Sequence, residues 1–338
     1  MSKLPTQNDV ARLAGVSTAT VSRVVNGRGI VSPTIHDRVV QAIDTLQYVP
    51  NAGARALAMQ RSGTLGAIIP TLNNAIFAEG INGFERVAQQ LGYSLILSVS
   101  DPSSDWHAEQ VRKMIERGVD GLLLVGNDHD QEVFERLDKA GVRCVCTWAF
   151  DEHARAPNIG FDNATAMYSV IDHLVEQGHR HFGMLAGMTA TNDRARHRVE
   201  GVIARLNHHG IAFEARRVVE VEYSIAQSRK AFWQAIDNDI TALVCGNDVL
   251  AYGAWLEAQA MGLDVPEQLS ITGFDDLALS AELTPALTTI QVGADIMGAE
   301  AARALIAATE QQTSVVGKCL PTRLVAREST GPANVVHL

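Results

Sequence analysis

The apolar positions of the first fifty residues recur every three or four residues, which is the spacing of one helix face. This pattern predicts three short helices, the second starting near Thr18 and the third near Pro33. Thr6 and Asp9 form a capping-box pattern before the first helix, and Gly15 ends that helix. A tight turn with glycine between two short helices is typical of a helix-turn-helix unit.

The pattern changes after residue 62, where short apolar runs alternate with amphipathic helices. The predicted strands are 64–70, 93–99, 121–125, 142–148, 181–186, 218–221, 242–245 and 270–274. The predicted helices are 76–91, 109–116, 133–140, 164–176, 196–208, 226–236, 249–261 and 295–308. Such alternation predicts parallel sheets with helices on both faces. The expected fold is an all-α helix-turn-helix head followed by an α/β body of two doubly wound parallel-sheet subdomains.

Charge separates the same two parts. The chain of 338 residues has a net charge of −10, which by itself argues against a nucleic-acid partner. Residues 1–61, however, hold seven basic and three acidic side chains, whereas the remainder holds 21 and 35. A small basic head on an acidic body indicates that any contact with phosphates is made by the head.

Several chemistries have no support in the sequence. The cysteines (144, 146, 245 and 319) show no C-x-x-C pair or zinc spacing, so we expect them to be reduced and buried. No G-x-G-x-x-G, Walker or G-x-S-x-G motif occurs, so no cofactor, metal or enzymatic activity is expected. No apolar run reaches the ~20 residues of a membrane helix, and the first residues lack a secretory signal. We therefore expect a cytoplasmic protein without membrane contact.

The motifs of the head are specific. The stretch DVARLAGVSTATVSRVVNGRGIVSPTIHDRVVQAIDTLQYVPNAGARAL resembles the DNA-binding head of the LacI/GalR family of transcriptional regulators. The resemblance rests on the GVS-x-x-TVSRV core, the YVPN step at 48–51 and the ARAL segment at 54–57. The body resembles the periplasmic-binding-protein fold that this family carries as its effector domain.

The resemblance implies a domain organisation. It places a helix-turn-helix domain at 1–50, a hinge helix and linker at 51–62, and an effector-binding and dimerisation domain at 63–338. Within that domain the N-subdomain comprises about 63–160 and 292–322, and the C-subdomain about 163–289 and 323–338. The chain is then expected to cross between subdomains near 158–163, 288–293 and 320–326.

The resemblance also assigns DNA contacts. Thr18, Ala19 and Arg23 align with base-reading positions, and an arginine can bond a guanine edge in two places. The implied phosphate or backbone contacts are Ser17, Thr20, Ser22 and Asn26. Ala54 and Leu57 lie in the segment that resembles the hinge helix, and Leu57 aligns with the leucine that is inserted into the minor groove. A plain linker is the alternative for this segment.

Strand ends and the family pattern together nominate effector contacts. They are Asn73, Phe77, Trp148, Arg196, Arg198, Tyr223, Asn247 and Asp275. Aromatic, amide, carboxylate and guanidinium groups suit a polyhydroxylated ligand. Three arginines within 194–198 favour an anionic one, and the runs IIPTLNNAIFAEGINGFE and GFDN resemble gluconate-repressor-type members, so a sugar acid is the first expectation. As structural alternatives, Asn247 can cap a helix, and Phe77 and Trp148 can be core residues.

The implied function is a sequence-specific repressor of a carbohydrate or sugar-acid catabolic operon, controlled by a small molecule. A homodimer on a palindromic operator is expected. The ending TGPANVVHL leaves no room for a tetramer-forming leucine heptad. The alternatives are a regulator activated by a purine-like co-repressor, a sugar-binding protein without a regulatory role, and an α/β enzyme.

Overall fold

The computed structural model describes residues 5–25, 30–49, 61–100, 106–237 and 239–334, with only the backbone at position 215. The chain divides after Ser62 into two compact units, which are considered separately.

The first unit is a three-helix head. Its helices are α1 (Gln7–Ala14), α2 (Thr18–Val25) and α3 (Pro33–Leu46). One apolar residue from each helix, Val10, Val21 and Val39, is fully buried at their junction. The predicted capping box at Thr6 is present, and Gly15 takes the left-handed conformation with φ 63°. The three predicted helices are thus confirmed.

The second unit alternates strands and helices. Its strands are β1 (Thr64–Ile69), β2 (Ser94–Val99), β3 (Gly121–Val125), β4 (Arg143–Thr147), β5 (Asn158–Gly160), β6 (Phe182–Ala186), β7 (Val218–Glu220), β8 (Ala242–Cys245), β9 (Ser270–Thr272), β10 (Thr289–Gln291), β11 (Lys318–Cys319) and β12 (Arg323–Val325). Its α-helices are α4 (Ala75–Gln90), α5 (His107–Glu116), α6 (Gln131–Ala140), α7 (Asn163–Glu176), α8 (Asp193–His208), α9 (Ile225–Ala235), α10 (Asp248–Ala260), α11 (Ala278–Glu282) and α12 (Ala294–Gln311).

The strands form two parallel sheets and a small antiparallel pair. The first sheet has the order β11-β5-β4-β3-β1-β2, and the second has the order β7-β6-β8-β9. Strands β10 and β12 pair antiparallel, with Ile290 opposite Leu324. The buried strands β3 and β8 are apolar throughout, as expected for parallel strands covered on both faces. The expected α/β body is confirmed.

The two sheets define two lobes. We call the first sheet with α4, α5, α6 and α12 the first lobe, and the second sheet with α7 to α11 the second lobe. The chain leaves the first lobe after β5 and returns to it with α12, which packs on α4. It then adds β11 to the first sheet and continues to β12. The first lobe is therefore built from two distant parts of the sequence.

Some sequence expectations were wrong. Elements β5, β10, β11, β12 and α11 were not predicted, because two to five residues are too few to show a period. Helix α8 begins three residues before the predicted start, because the Asn192 side chain accepts a hydrogen bond from Ala195 N–H and caps it.

The cysteines differ from one another in exposure. All four are free thiols, but only Cys146 and Cys245 are buried. Cys144 is half-buried and its pKa is raised to about 11 by burial, whereas Cys319 is exposed. The expectation that all four are buried was therefore wrong, because β11 is a two-residue strand at the edge of its sheet. Among the described helices, none has the length and apolar character to cross a membrane.

Candidate functional site

Helix α2 exposes the residues that the sequence nominates for DNA contact. Ser17, Thr18, Ala19 and Arg23 are exposed, while Val21 on the opposite side is fully buried. Thr20 and Ser22 are half-buried. One side of α2 is thus committed to the core of the head, and the other presents short polar groups and a guanidinium. Asn26, Ala54 and Leu57 lie outside the described residues.

The turn before α2 is held in place by neighbouring helices. The Arg38 side chain of α3 donates from Nε to the carbonyl oxygen of Ala14 at 3.0 Å, and from Nη2 to that of Gly15 at 3.1 Å. These carbonyls end α1 and have no partner within that helix. The Ser17 hydroxyl accepts a hydrogen bond from Thr20 N–H at 3.2 Å and caps α2. The orientation of α2 is therefore fixed from both sides.

In the second unit, the carboxyl ends of the two sheets lie next to each other. Asn127, after β3, donates its N–H to the Asp193 carboxylate at the start of α8 over 2.7 Å. Arg196 on α8 donates to both carboxylate oxygens of Asp128, at 3.0 and 2.8 Å. Clefts at the carboxyl ends of parallel strands are the usual ligand sites of open α/β sheets. We call this space the cleft.

Two aromatic side chains pack together at the carboxyl end of β4 in the first lobe. Trp148, directly after β4, is 3% exposed and has a positive φ of 60°. Its ring lies 5.2 Å from that of Phe77 in an edge-to-face arrangement. Asn163 donates from Nδ2 to the Trp148 carbonyl oxygen at 2.9 Å and so fixes this bend. Asn73 is exposed in the loop that precedes α4.

The second lobe contributes two buried ionisable side chains, Arg198 and Asp275. The Arg198 guanidinium lies 4.4 Å from the centre of the Phe274 ring and donates to the Gly246 carbonyl oxygen at 2.6 Å. Asp275 follows Phe274, is 7% exposed and has φ 115°. Burial raises the pKa of Asp275 to about 8, and the positive charge of Arg198 opposes this rise.

The second lobe also tests the structural alternative for Asn247. This residue is buried and its Oδ1 accepts a hydrogen bond from Leu250 N–H at 3.0 Å, so the cap predicted as an alternative is present. Phe77 and Trp148 are likewise buried within the main apolar cluster, as their core alternative predicts. Their contacts with an effector stay a prediction.

Six buried side-chain polar atoms lack a hydrogen-bond partner among the described residues, and three of them belong to Trp148, Asn163 and Tyr223. These three are Nε1 of Trp148, Oδ1 of Asn163 and the hydroxyl of Tyr223. A buried polar atom without a partner costs free energy, on the order of 1–3 kcal/mol. Tyr223 packs so closely against Gly187 that a Cβ at that position would overlap its ring.

Sequence reasoning missed the residues that bridge the lobes. Asn127, Asp128 and Asp193 were not nominated, although the polar run GNDHD directly follows a buried strand. That position at a strand end was the available signal. Their partners became visible only in the structure, because Asp128 and Arg196 are separated by 68 residues.

Comparisons with known proteins bear on both units. Residues 6–51 match the model of bacterial regulatory proteins of the lacI family, and residues 171–330 match a periplasmic binding protein-like domain. Catabolite control protein A of Priestia megaterium is 33% identical over 327 residues, covering 95% of this chain and 98% of that protein.

The chain belongs to the LacI family.

Solved structures agree with this assignment. A lac repressor dimer bound to operator and the anti-inducer ONPF is 28% identical, with a TM-score of 0.85, over 97% of this chain and all of that one. A complex of the transcriptional regulator CelR with cellobiose is 27% identical, with a TM-score of 0.72, over 96% of this chain and 99% of that one. As a LacI-family member, the chain is a DNA-binding transcriptional regulator with a periplasmic-binding-protein-like body. Membership of a gluconate-repressor-like subgroup stays a prediction.

Proposed function

We propose that this LacI-family regulator is a repressor whose operator affinity is set by a neutral sugar bound in the cleft. The head at 1–50, the hinge at 51–62 and the body at 63–338 are the three parts in which we place DNA reading, coupling and effector binding. The observation that carries the effector class is the buried carboxyl group of Asp275, whose pKa is raised to about 8 by burial and, to a smaller extent, by the charges of Asp248 and Glu79.

The arginines that favoured a sugar acid are engaged within the protein. Arg194 donates to the Asp193 carboxylate at 2.9 Å, and Arg196 is paired with Asp128. Arg198 donates to the carbonyl oxygens of Gly246 and Arg194. Arg194 and Arg196 therefore already have a carboxylate partner within the protein.

The carboxyl groups of Glu79 and Asp275 form no ion pair among the described residues, whereas Asp276 and Asp295 are paired with Arg327 and Arg86. The pKa of Glu79 is raised by burial, and also by the charges of Asp276 and Asp295. Glu79 in turn contributes to the raised pKa of Asp275, after the larger effect of burial. Like charges at short range disfavour one another's ionised forms. A neutral polyol avoids this repulsion and supplies hydroxyl donors to Asp275.

The unpartnered atoms fit the same ligand class. A sugar hydroxyl both donates and accepts, so it can serve the Trp148 Nε1 donor as well as the Asn163 Oδ1 acceptor. Aromatic rings such as those of Phe77 and Tyr223 cover the apolar faces of a sugar ring. We therefore assign effector contacts to Asn73, Phe77, Trp148, Arg198, Tyr223, Asn247 and Asp275. Arg196 joins them only when its ion pair with Asp128 opens.

For the head, we propose that Thr18, Ala19 and Arg23 contact DNA bases. Phosphate contacts are proposed for Ser17, Thr20, Ser22 and Asn26, and contacts from the hinge segment for Ala54 and Leu57. The support is the exposed side of α2 described above.

A homodimer on a palindromic operator is proposed as well. Strand β2 is the outer strand of the first sheet, and it exposes the apolar side chains of Leu97 and Val99. Edge strands with exposed apolar side chains are natural sites of association.

The test is a thermal-shift screen of the full chain against neutral mono- and disaccharides, sugar acids and purine bases. We expect neutral sugars to raise the midpoint, because ligands that bind only the folded state stabilise it. The matched control is Asp275→Asn, which should lose the shift but retain the unliganded midpoint within a few degrees. Stabilisation by sugar acids alone would contradict the proposal that the effector is a neutral sugar.

Operator coupling is then measured by fluorescence anisotropy with DNA selected from a random palindromic library. The best ligand of the screen should weaken binding of the full chain to that DNA. A ligand that strengthens binding would instead support the co-repressor alternative.

A further inference from the structure

One rim of the cleft carries contacts that join the two lobes directly. On the first lobe they come from the loop after β3, and on the second lobe from the first turns of α8. The Asn127 N–H bonds to Asp193, and Asp128 pairs with Arg196. We propose that these four residues form a rim latch that holds the lobes closed and that a ligand must open to enter or leave the cleft.

The geometry of the ion pair is that of a directed contact. Arg196 donates from Nη2 to both oxygens of Asp128 and from Nη1 to the Thr189 carbonyl oxygen at 3.0 Å. The third contact fixes the guanidinium from its own lobe. Both ionic side chains are about one-third exposed, at 35% and 40%, so water reaches the pair. Such a pair is worth little by itself, which suits a contact that must open and close.

The second contact of the rim latch is better protected. Asp193 is buried, and it accepts both the Asn127 N–H and the guanidinium of its neighbour Arg194. The pKa of Asp193 remains lowered although burial alone would raise it, because of the charge of Arg194 and the hydrogen bond from Asn127. Opening the rim thus removes a donor from a buried carboxylate.

The loop itself is shaped for close approach. Gly126 has φ 78°, and a Cβ at this position would overlap the Arg194 guanidinium across the cleft. Behind the loop, His129 donates from Nε2 to the Gly126 carbonyl oxygen at 3.0 Å, and its Nδ1 accepts a hydrogen bond from Nε2 of His107 at 3.0 Å. The loop is therefore braced from its own lobe while its other side meets α8.

The rim latch concerns the unliganded protein, and it rests on the proposed function only in that the cleft is where the ligand binds. It is tested by hydrogen exchange of the full chain without ligand. The amide of Asn127 is the reporter, because its hydrogen-bond acceptor belongs to the opposite lobe. The variants are Asp128→Asn, Arg196→Gln and the charge exchange Asp128→Arg with Arg196→Asp.

The matched control is Glu132→Gln, which removes a solvent-exposed ion pair with Arg136 that lies within α6. We expect exchange at Asn127 to rise about threefold to tenfold in each single variant, as expected for loss of a weak ion pair that limits local opening. The double variant with exchanged charges should restore the hydrogen-exchange rate of Asn127 to within about twofold of wild type, because it re-forms an ion pair between the lobes. The Glu132→Gln control should leave this rate unchanged, because its ion pair lies within α6.

Wild-type exchange at Asn127 in Arg196→Gln would overturn the rim latch, as would a charge-exchange variant that exchanges as fast as the single variants. Exchange within β6 and β8 shows whether a variant has lost its fold. If Arg196→Gln has lost its fold, the comparison of Asp128→Asn with Glu132→Gln decides whether the rim latch exists. The sugar screen is independent of this result, so failure of one proposal is distinguishable from failure of the other.

Discussion

Helix α12 crosses α4 at Gly298 and Gly80, where the backbones lie so close that a Cβ on Gly298 would overlap the Gly80 carbonyl oxygen. A backbone oxygen cannot rotate away as a side chain can. We expect Gly298→Ala to lower the free energy of unfolding by about 1–3 kcal/mol, because overpacking outweighs the higher helix propensity of alanine. Urea unfolding of the full chain, followed by circular dichroism, measures this change.

The exposed position Ala307 on the same helix provides the control. Ala307→Gly should cost about 1 kcal/mol from helix propensity alone. Stabilisation by Gly298→Ala would show that α12 can shift away from α4, and that the close crossing is not required.

Arg23 lies on the exposed side of α2, opposite the buried Val21. We expect Arg23→Ala to lose about 1–3 kcal/mol of discrimination at one operator base pair, because a bidentate contact to a guanine is removed. Sequencing of DNA bound from a random library shows the loss at a single position per half-site. Ser17→Ala, at a proposed phosphate contact, should weaken all sequences alike. An unchanged base preference in Arg23→Ala would exclude base reading by this residue.

The pKa of Asp275, raised to about 8 mainly by burial, predicts a pH-dependent effector affinity. Sugar hydroxyls donate to the ionised carboxylate, so they favour the form that predominates above pH 8. Affinity should therefore rise from pH 7 to pH 9, with a slope approaching tenfold per pH unit below the pKa. Titration calorimetry with the best neutral sugar of the screen measures it.

Asp275→Asn removes the titrating group, and its residual affinity should be flat over the same range. Affinity that falls with rising pH would indicate that protonated Asp275 donates to the ligand instead.

His179 ties the last described residues to the second lobe. Its Nδ1 accepts from the Thr241 hydroxyl at 2.8 Å and its Nε2 donates to the Gly331 carbonyl oxygen at 3.0 Å. Burial lowers the pKa of His179 below its ordinary value of 6.5, and it does the same for His173, which contacts Thr330. As the pH falls, the unfolded chain therefore binds protons at these two histidines at a higher pH than the folded chain does. Stability should be full above about pH 6.5 and should fall as the pH drops below it.

Thermal unfolding between pH 7.5 and pH 5 measures this loss. His179→Gln should reduce the slope, whereas His181→Gln, at an exposed position two residues later, should retain it. An identical slope in both variants would assign the acid sensitivity to other groups.

The head shows which structural features can be predicted from the local sequence pattern. The capping box of Thr6 and Asp9 and the left-handed Gly15 both follow from residues within a few positions of one another. Such contacts follow from the spacing of residues along the chain, so the sequence predicted them. The strands of the body were predicted for the same reason wherever an apolar run exceeded three residues.

The cleft contains contacts that the sequence pattern could not predict. Asp275 and Arg198 were nominated, and in the structure the charge of Arg198 lowers the pKa of Asp275 against the larger effect of burial. The same reasoning treated the arginines of α8 as free to bind an anion, since the sequence shows a charge but not its partner. Asp128 neutralises Arg196 from the other lobe, and its position depends on how two sheets meet.

The sequence by itself determined the helix-turn-helix head, the alternating α/β body and the family, because these rest on short-range periodicity and on motifs of adjacent residues. Tertiary structure alone decided which charges are compensated, which buried polar atoms lack a partner among the described residues, and which contacts join the two lobes. Those properties depend on distances between residues far apart in the chain, and electrostatic and hydrogen-bond energies vary steeply with such distances.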